Sequence, residues 1–224
     1  PVGVSSTTVE VVSPAEFQRS DSELWTLGVL RLPVTSNQCW MTAGGVKFER
    51  VLDMDVAEHG PKDSLGGNVF PGCSPTAGQG GQWNHVAHNE KLHFQGFSVD
   101  SVTCGNVPGI EPGSESPVTP FNWIEFTGEG RLKGIKGNQT DIEPVYFFGR
   151  VEDRNEPGNE NSATAGEDID RYFLQVYTDP MDPNGTTVLL IDMDGNPATV
   201  DPVTITGGNL QLHISSCDTP PSGF

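Results

Sequence analysis

The densest chemistry in this sequence is acidic. Between positions 141 and 201 lie fourteen Asp or Glu residues against three Arg. Glu152, Asp153, Glu156, Glu160, Glu167, Asp168 and Asp170 gather around one predicted loop. Hard oxygen donors on a flexible loop are what calcium takes, in sets of six to eight at about 2.3–2.6 Å. The expectation is that Asp153, Asn155, Glu156, Asp168 and Asp170 converge on calcium if the segment between them folds back, the metal cancelling their mutual repulsion. The competing reading is a solvated acidic loop in which Glu156 makes only turn hydrogen bonds. The EF-hand pattern is absent. Asp192-Met193-Asp194-Gly195-Asn196 has the look of a calcium loop in miniature, but Asp-Gly between apolar runs reads more simply as a β turn.

Other side chains support less. His59, His85, His88 and His93 invite a zinc reading, yet His85 and His88 are three apart on a predicted strand, where they point to opposite faces, and His-Glu-x-x-His is missing. They are read as surface or loop histidines, and His213 as an exposed or hydrogen-bonded strand residue. There is no Gly-x-Ser-x-Gly elbow and no phosphate-cradling glycine loop. Paired carboxylates could serve a glycosidase, but among 30 acids such pairs arise by chance. No catalytic residue is assigned and no enzyme is expected. Trp25, Trp40, Trp83 and Trp123 could make a sugar platform, although core packing explains them better. Asn138-Gln139-Thr140 and Asn184-Gly185-Thr186 fit glycosylation acceptors.

The four cysteines, Cys39, Cys73, Cys104 and Cys217, contain no C-x-x-C pair. An even number at wide spacing suits two disulfides made in an oxidising compartment. Three pairings are possible; the favoured one nests Cys73–Cys104 inside Cys39–Cys217, so that the outer bridge ties the first core strand to the last.

These residues need a frame to hold them. The chain has 224 residues, of which 34% are apolar, and carries a formal charge of −18. At this length a real core is possible. So acidic a chain argues against nucleic acid and anionic membrane surfaces as partners. No run of 18 apolar residues offers a membrane span. With 27 Gly and 18 Pro the chain is punctuated too often for a helical protein. Pro1 in place of an initiator leads us to expect a mature or trimmed chain, with any targeting segment removed.

Short β-rich runs recur at 45–52, 66–70, 82–87, 91–103, 121–132, 144–152, 171–178, 186–193 and 203–215, with turn residues between them. This is the spacing of an all-β, antiparallel β-sandwich, jelly-roll or Ig-like. Residues 108–120 hold four prolines and read as a long exposed loop. Asn184-Gly185 and Asp194-Gly195 read as tight hairpin turns. Ahead of the sandwich domain, 39–224, stands an N-terminal extension, 1–38. It comprises a β-branched strand (5–12), one short helix over 14–19 opened by Ser13-Pro14-Ala15-Glu16, and a first apolar strand.

Several segments together resemble an uncharacterised β-rich domain that recurs in secreted and surface-exposed bacterial proteins, often near their C-termini. Met41-Thr42-Ala43-Gly44-Gly45 is similar to its opening Met-Thr-Gly-Gly-Gly. Cys73, Trp83, Phe94 and Cys104 fall in the order of its cysteine-bracketed segment, and Phe126-Thr127-Gly128-Glu129-Gly130 resembles its small-residue strand start. Asp153-Arg154-Asn155-Glu156-Pro157-Gly158 resembles its Asp-x-Gly-Glu-Pro-Gly turn, with Asn155 in place of glycine and a polar insertion, 159–166, before Asp168. Gly207-Gly208-Asn209-Leu210-Gln211-Leu212-His213 is similar to its closing strand. The resemblance covers roughly 41–217 and implies an extracytoplasmic β domain. It implies no activity, because none is established for that family.

The functional expectation is therefore a secreted, extracellular or cell-surface structural protein. In its sharper form this is a self-assembling filament subunit whose N-terminal strand, Thr7, Thr8, Val9, Glu10, Val11 and Val12, adds to a neighbour's sheet. Calcium is the one cofactor suggested, and self-association or a cell-surface partner the expected contact. The alternative is a glycan- or protein-binding adhesion module; a secreted hydrolase stands third.

Overall fold

In the computed structural model the described residues are 39–49, 62–70, 81–110, 119–154 and 169–214; side chains are described for all of these except 44–49 and 62. The chain divides between Leu32 and Pro33 into two units, and every described residue lies in the second. The expected N-terminal strand and the helix over 14–19 lie outside the described residues.

The described chain is all-β. Eleven strands follow in order: β1 (Cys39–Glu49), β2 (Lys62–Val69), β3 (Gly81–Ala87), β4 (Leu92–Gly96), β5 (Ser101–Gly105), β6 (Trp123–Gly134), β7 (Asp141–Glu152), β8 (Arg171–Tyr177), β9 (Thr187–Ile191), β10 (Val203–Thr204) and β11 (Gly207–Ile214). They form one antiparallel sheet in the order β10-β8-β7-β6-β4-β3-β2-β1-β11, with β5 on β6 and β9 on β8.

Alternation explains most of these strands. In β3, Trp83, His85 and Ala87 are buried while Gln82, Asn84 and Val86 face outward; in β4, Leu92, Phe94 and Gly96 are buried while His93 and Gln95 face outward. A period of two puts every second side chain in the core. The sheet folds over so that its two halves face one another in a sandwich-like arrangement. Trp83 of β3 packs edge-on to Phe126 of β6 at 5.2 Å between ring centroids, and Phe94 of β4 meets Phe147 of β7 at 5.1 Å. The Trp83 indole N–H also donates to the Tyr172 hydroxyl on β8 at 3.0 Å. Burying side chains of this size contributes roughly 2–3 kcal/mol each.

The turn of the sheet happens at β6. Residues 130–134 pair with β4 and residues 123–127 with β5, while β7 runs along the other side. The run 91–103, expected as one strand, is thus two. Between them Phe97, Ser98 and Asp100 donate backbone N–H groups to Glu129 and Thr127 carbonyls as the chain steps along β6. Gly128 permits that step, because a Cβ there would overlap the Ser98 carbonyl oxygen.

At the opposite end, β10 pairs with β8 and two residues later β11 begins on β1. One stretch of chain therefore links the first and last strands of the sheet order. The two turn readings are corrected here. Residues 178–186 form a wider loop closed by a Thr178 N–H to Thr186 carbonyl bond. Asp194-Gly195 joins strands that lie in succession along the same side of β8.

Candidate functional site

Asp153 and Asp170 stand at the two ends of the acidic segment, just after β7 and just before β8, and both are fully buried. The Asp170 carboxylate accepts the Arg154 backbone N–H at 2.8 Å, so the two ends of the segment are tied together. Asp153 reaches further. Its carboxylate accepts the Leu212 N–H of β11 at 2.8 Å, and its own N–H donates to the Asn122 carbonyl at 3.0 Å. The Asp170 carbonyl accepts the Ile205 N–H beyond β10. The Leu212 and Arg154 N–H groups thus each satisfy an oxygen of a buried carboxylate, which would otherwise be costly to bury.

Basic side chains surround the neighbouring acid. Glu152, almost fully buried, takes Arg150 Nε and Arg154 Nε, each at 2.9 Å. Arg150 also reaches Glu125 at 2.8 Å and lies over the Trp123 ring at 4.9 Å. Of the five expected calcium ligands, Asp153 and Asp170 are brought to one place; Asn155, Glu156 and Asp168 lie outside the described residues. Among the described residues no group of three or more His, Cys, Asp or Glu side chains is placed to hold a metal ion.

Among the described residues the histidines are not gathered into a metal-holding group. His85, expected at the surface, is wholly buried: its Nε2 lies 3.4 Å from the equally buried Asp63, and its ring stacks on Tyr172 at 5.7 Å. Burial pushes the Tyr172 phenol far up, beyond its ordinary range. His88 instead bonds Ser64 Oγ at 3.2 Å, and His93 sits on the outward face of β4. The sequence signal for a buried imidazole was the alternation of Trp83, His85 and Ala87 with Gln82, Asn84 and Val86, and it was missed because histidine is found both inside and at the surface.

The observed disulfide corrects the favoured pairing. Cys39 is joined to Cys104, Cα to Cα 6.5 Å. The break at 97–100 carries Cys104 onto β5, within reach of the start of β1, so Cys104 is not the partner of Cys73 nor Cys39 that of Cys217. Cys73 and Cys217 lie outside the described residues, as do Thr7, Thr8, Val9, Glu10, Val11 and Val12.

Core packing accounts for Trp83 but not for Trp40 or Trp123, which are half-buried on outward faces. Trp40 stacks on His213 at 4.0 Å and lies 5.1 Å from Phe70. In the loop after β9, the Asp192 carboxyl is buried against that of Asp194 and accepts the Asp201 N–H at 2.8 Å. Asp194 accepts from Asn196 N–H at 2.8 Å and from the Thr199 hydroxyl at 2.9 Å.

Comparison with family models, with curated proteins and with solved structures returns no match to this chain.

Proposed function

We propose that this chain is an extracellular structural or cell-surface module that joins its neighbours by strand addition, with segment 7–12 as the donor. The observation that carries the reading is the position of β5. Among the described residues it is hydrogen-bonded to β6 alone, and Cys104 within it is anchored by the disulfide to Cys39 of β1. A strand with one free side is a template for another chain. Covalent anchoring lowers the ordering cost of using it. The exposed Thr103 side chain supplies the polar, β-branched character that such an edge pairs well. A disulfide is compatible with an extracellular location. Calcium at Asp153 and Asp170, completed by Asn155, Glu156 and Asp168, would stiffen each unit; added chelator should then lower the melting temperature.

Deleting residues 1–12 tests the proposal. Light scattering and electron microscopy should find polymers of the full chain and only folded monomers of the truncated one. The double variant Val9→Pro, Val11→Pro should behave like the truncation, since proline cannot donate to a ladder. Polymers that persist in both would refute strand addition from this segment.

A further inference from the structure

In a chain of charge −18, the described outward side chains of three adjacent strands include no carboxylate. Among the described side chains of β2, β3 and β4, those facing outward are Ser, Asn, Gln, Val and His. The centre of the face is a quartet of amides in register. Asn68 on β2 opposes Gln82 on β3, and Asn84 on β3 opposes Gln95 on β4. Gln82 and Asn84 are successive outward positions of one strand, so the four groups are contiguous. None of these amides is taken up by a hydrogen bond among the described residues. Beside them Gly66 opposes Asn84 and presents no side chain.

Two of the imidazoles on this side, His93 and His213, are disfavoured from charging. Burial holds His213 below its ordinary pKa, and His93 is lowered by burial and then by nearby His85 and Lys133. Beyond β2, Trp40 of β1 and His213 of β11 stack at 4.0 Å as an aromatic ridge. Each amide offers both donors and acceptors, as each sugar hydroxyl does. A flat row of them across several strands suits an extended, hydroxyl-rich chain; an anionic one would be repelled by the rest of the molecule.

We infer that the amide quartet around Gly66 is a binding face for an uncharged polysaccharide. The inference goes beyond the assembly reading and does not depend on it: the face is built from β2, β3 and β4, and the assembly reading uses β5.

Affinity electrophoresis through gels containing a neutral β-glucan, a galactomannan or a xylan tests it, with polygalacturonate as the acidic comparison. At least one neutral polymer should retard the protein, added salt should leave the retardation unchanged, and polygalacturonate should not retard it. The Asn84→Ala, Gln95→Ala double variant should bind about tenfold more weakly with an unchanged melting temperature. Gly66→Val, which sets a branched side chain beside Asn84 without removing a donor, should lose binding as well. Failure of all three neutral polymers to retard the protein would overturn the inference, as would parental retardation of both variants.

Discussion

The Asp153 carboxylate accepts the backbone N–H of Leu212, fifty-nine residues later in the chain, at 2.8 Å. Leu212 lies opposite Met41 of β1, on the last strand of the sheet order, and Asp153 directly follows β7. One buried side chain thus ties the end of a strand in the opposite half of the sheet to β11. The bond also occupies a β11 N–H that could otherwise template a foreign strand.

Replacing Asp153 by Ala should therefore cost about 2–3 kcal/mol, the range for losing a charge-assisted bond and stranding a buried donor. Asp153→Asn keeps an acceptor oxygen and should cost less. Urea unfolding of the two variants measures the difference.

Peptide mapping without reduction should yield Cys39 and Cys104 in one linked pair. The bridge closes 65 residues, for which loop entropy gives roughly 4 kcal/mol. A Cys39→Ala, Cys104→Ala variant should unfold at correspondingly lower denaturant, with the loss borne mainly by the order of β5.

The Asp192–Asp194 pair gives a pH dependence of definite sign. Burial, and then the hydrogen bond with Asp194, raise Asp192 from 3.8 to about 7. The native state consequently holds a proton that the unfolded chain has released between about pH 4 and 7, and stability falls as pH rises through that window. Asp194, lowered first by Asp192 and then by Asn196 N–H and Thr199, acts the other way: its contribution is present above its unfolded value and lost as pH falls. The two titrate as a unit sharing one proton. Asp192→Asn, which can donate permanently to Asp194, should abolish the decline. It should exceed the parent by about 1–2 kcal/mol at about pH 8 and show no advantage at about pH 4. Thermal melts across that range decide it.

Gly128→Ala places a methyl against the Ser98 carbonyl where the chain steps along β6. An overlap with backbone relaxes poorly, so a loss of about 2–3 kcal/mol is expected. Because the step positions β5, backbone amide exchange in β5 should quicken more than in β7.

Much of the strand inventory was legible. Residues 82–87 and 171–178 were placed within a residue of β3 and β8, because alternation or a solid apolar run marks a strand locally. The all-β class followed from glycine, proline and spacing. The split of 91–103 was not legible, since its two halves differ only in which part of β6 they meet. Of the candidate site, the importance of Asp153 and Asp170 was visible as acidic density, but their backbone partners were not.

By itself the sequence determined the all-β class and the rough position of many strands, since side-chain direction repeats every two residues and needs no knowledge of the partner. Only the tertiary structure decided that Cys39 meets Cys104, that His85 is buried beside Asp63, and that Asp153 reaches Leu212. Those outcomes depend on how distant strands pair and on where the sheet turns over itself, and many pairings satisfy the same local pattern until the whole core is packed.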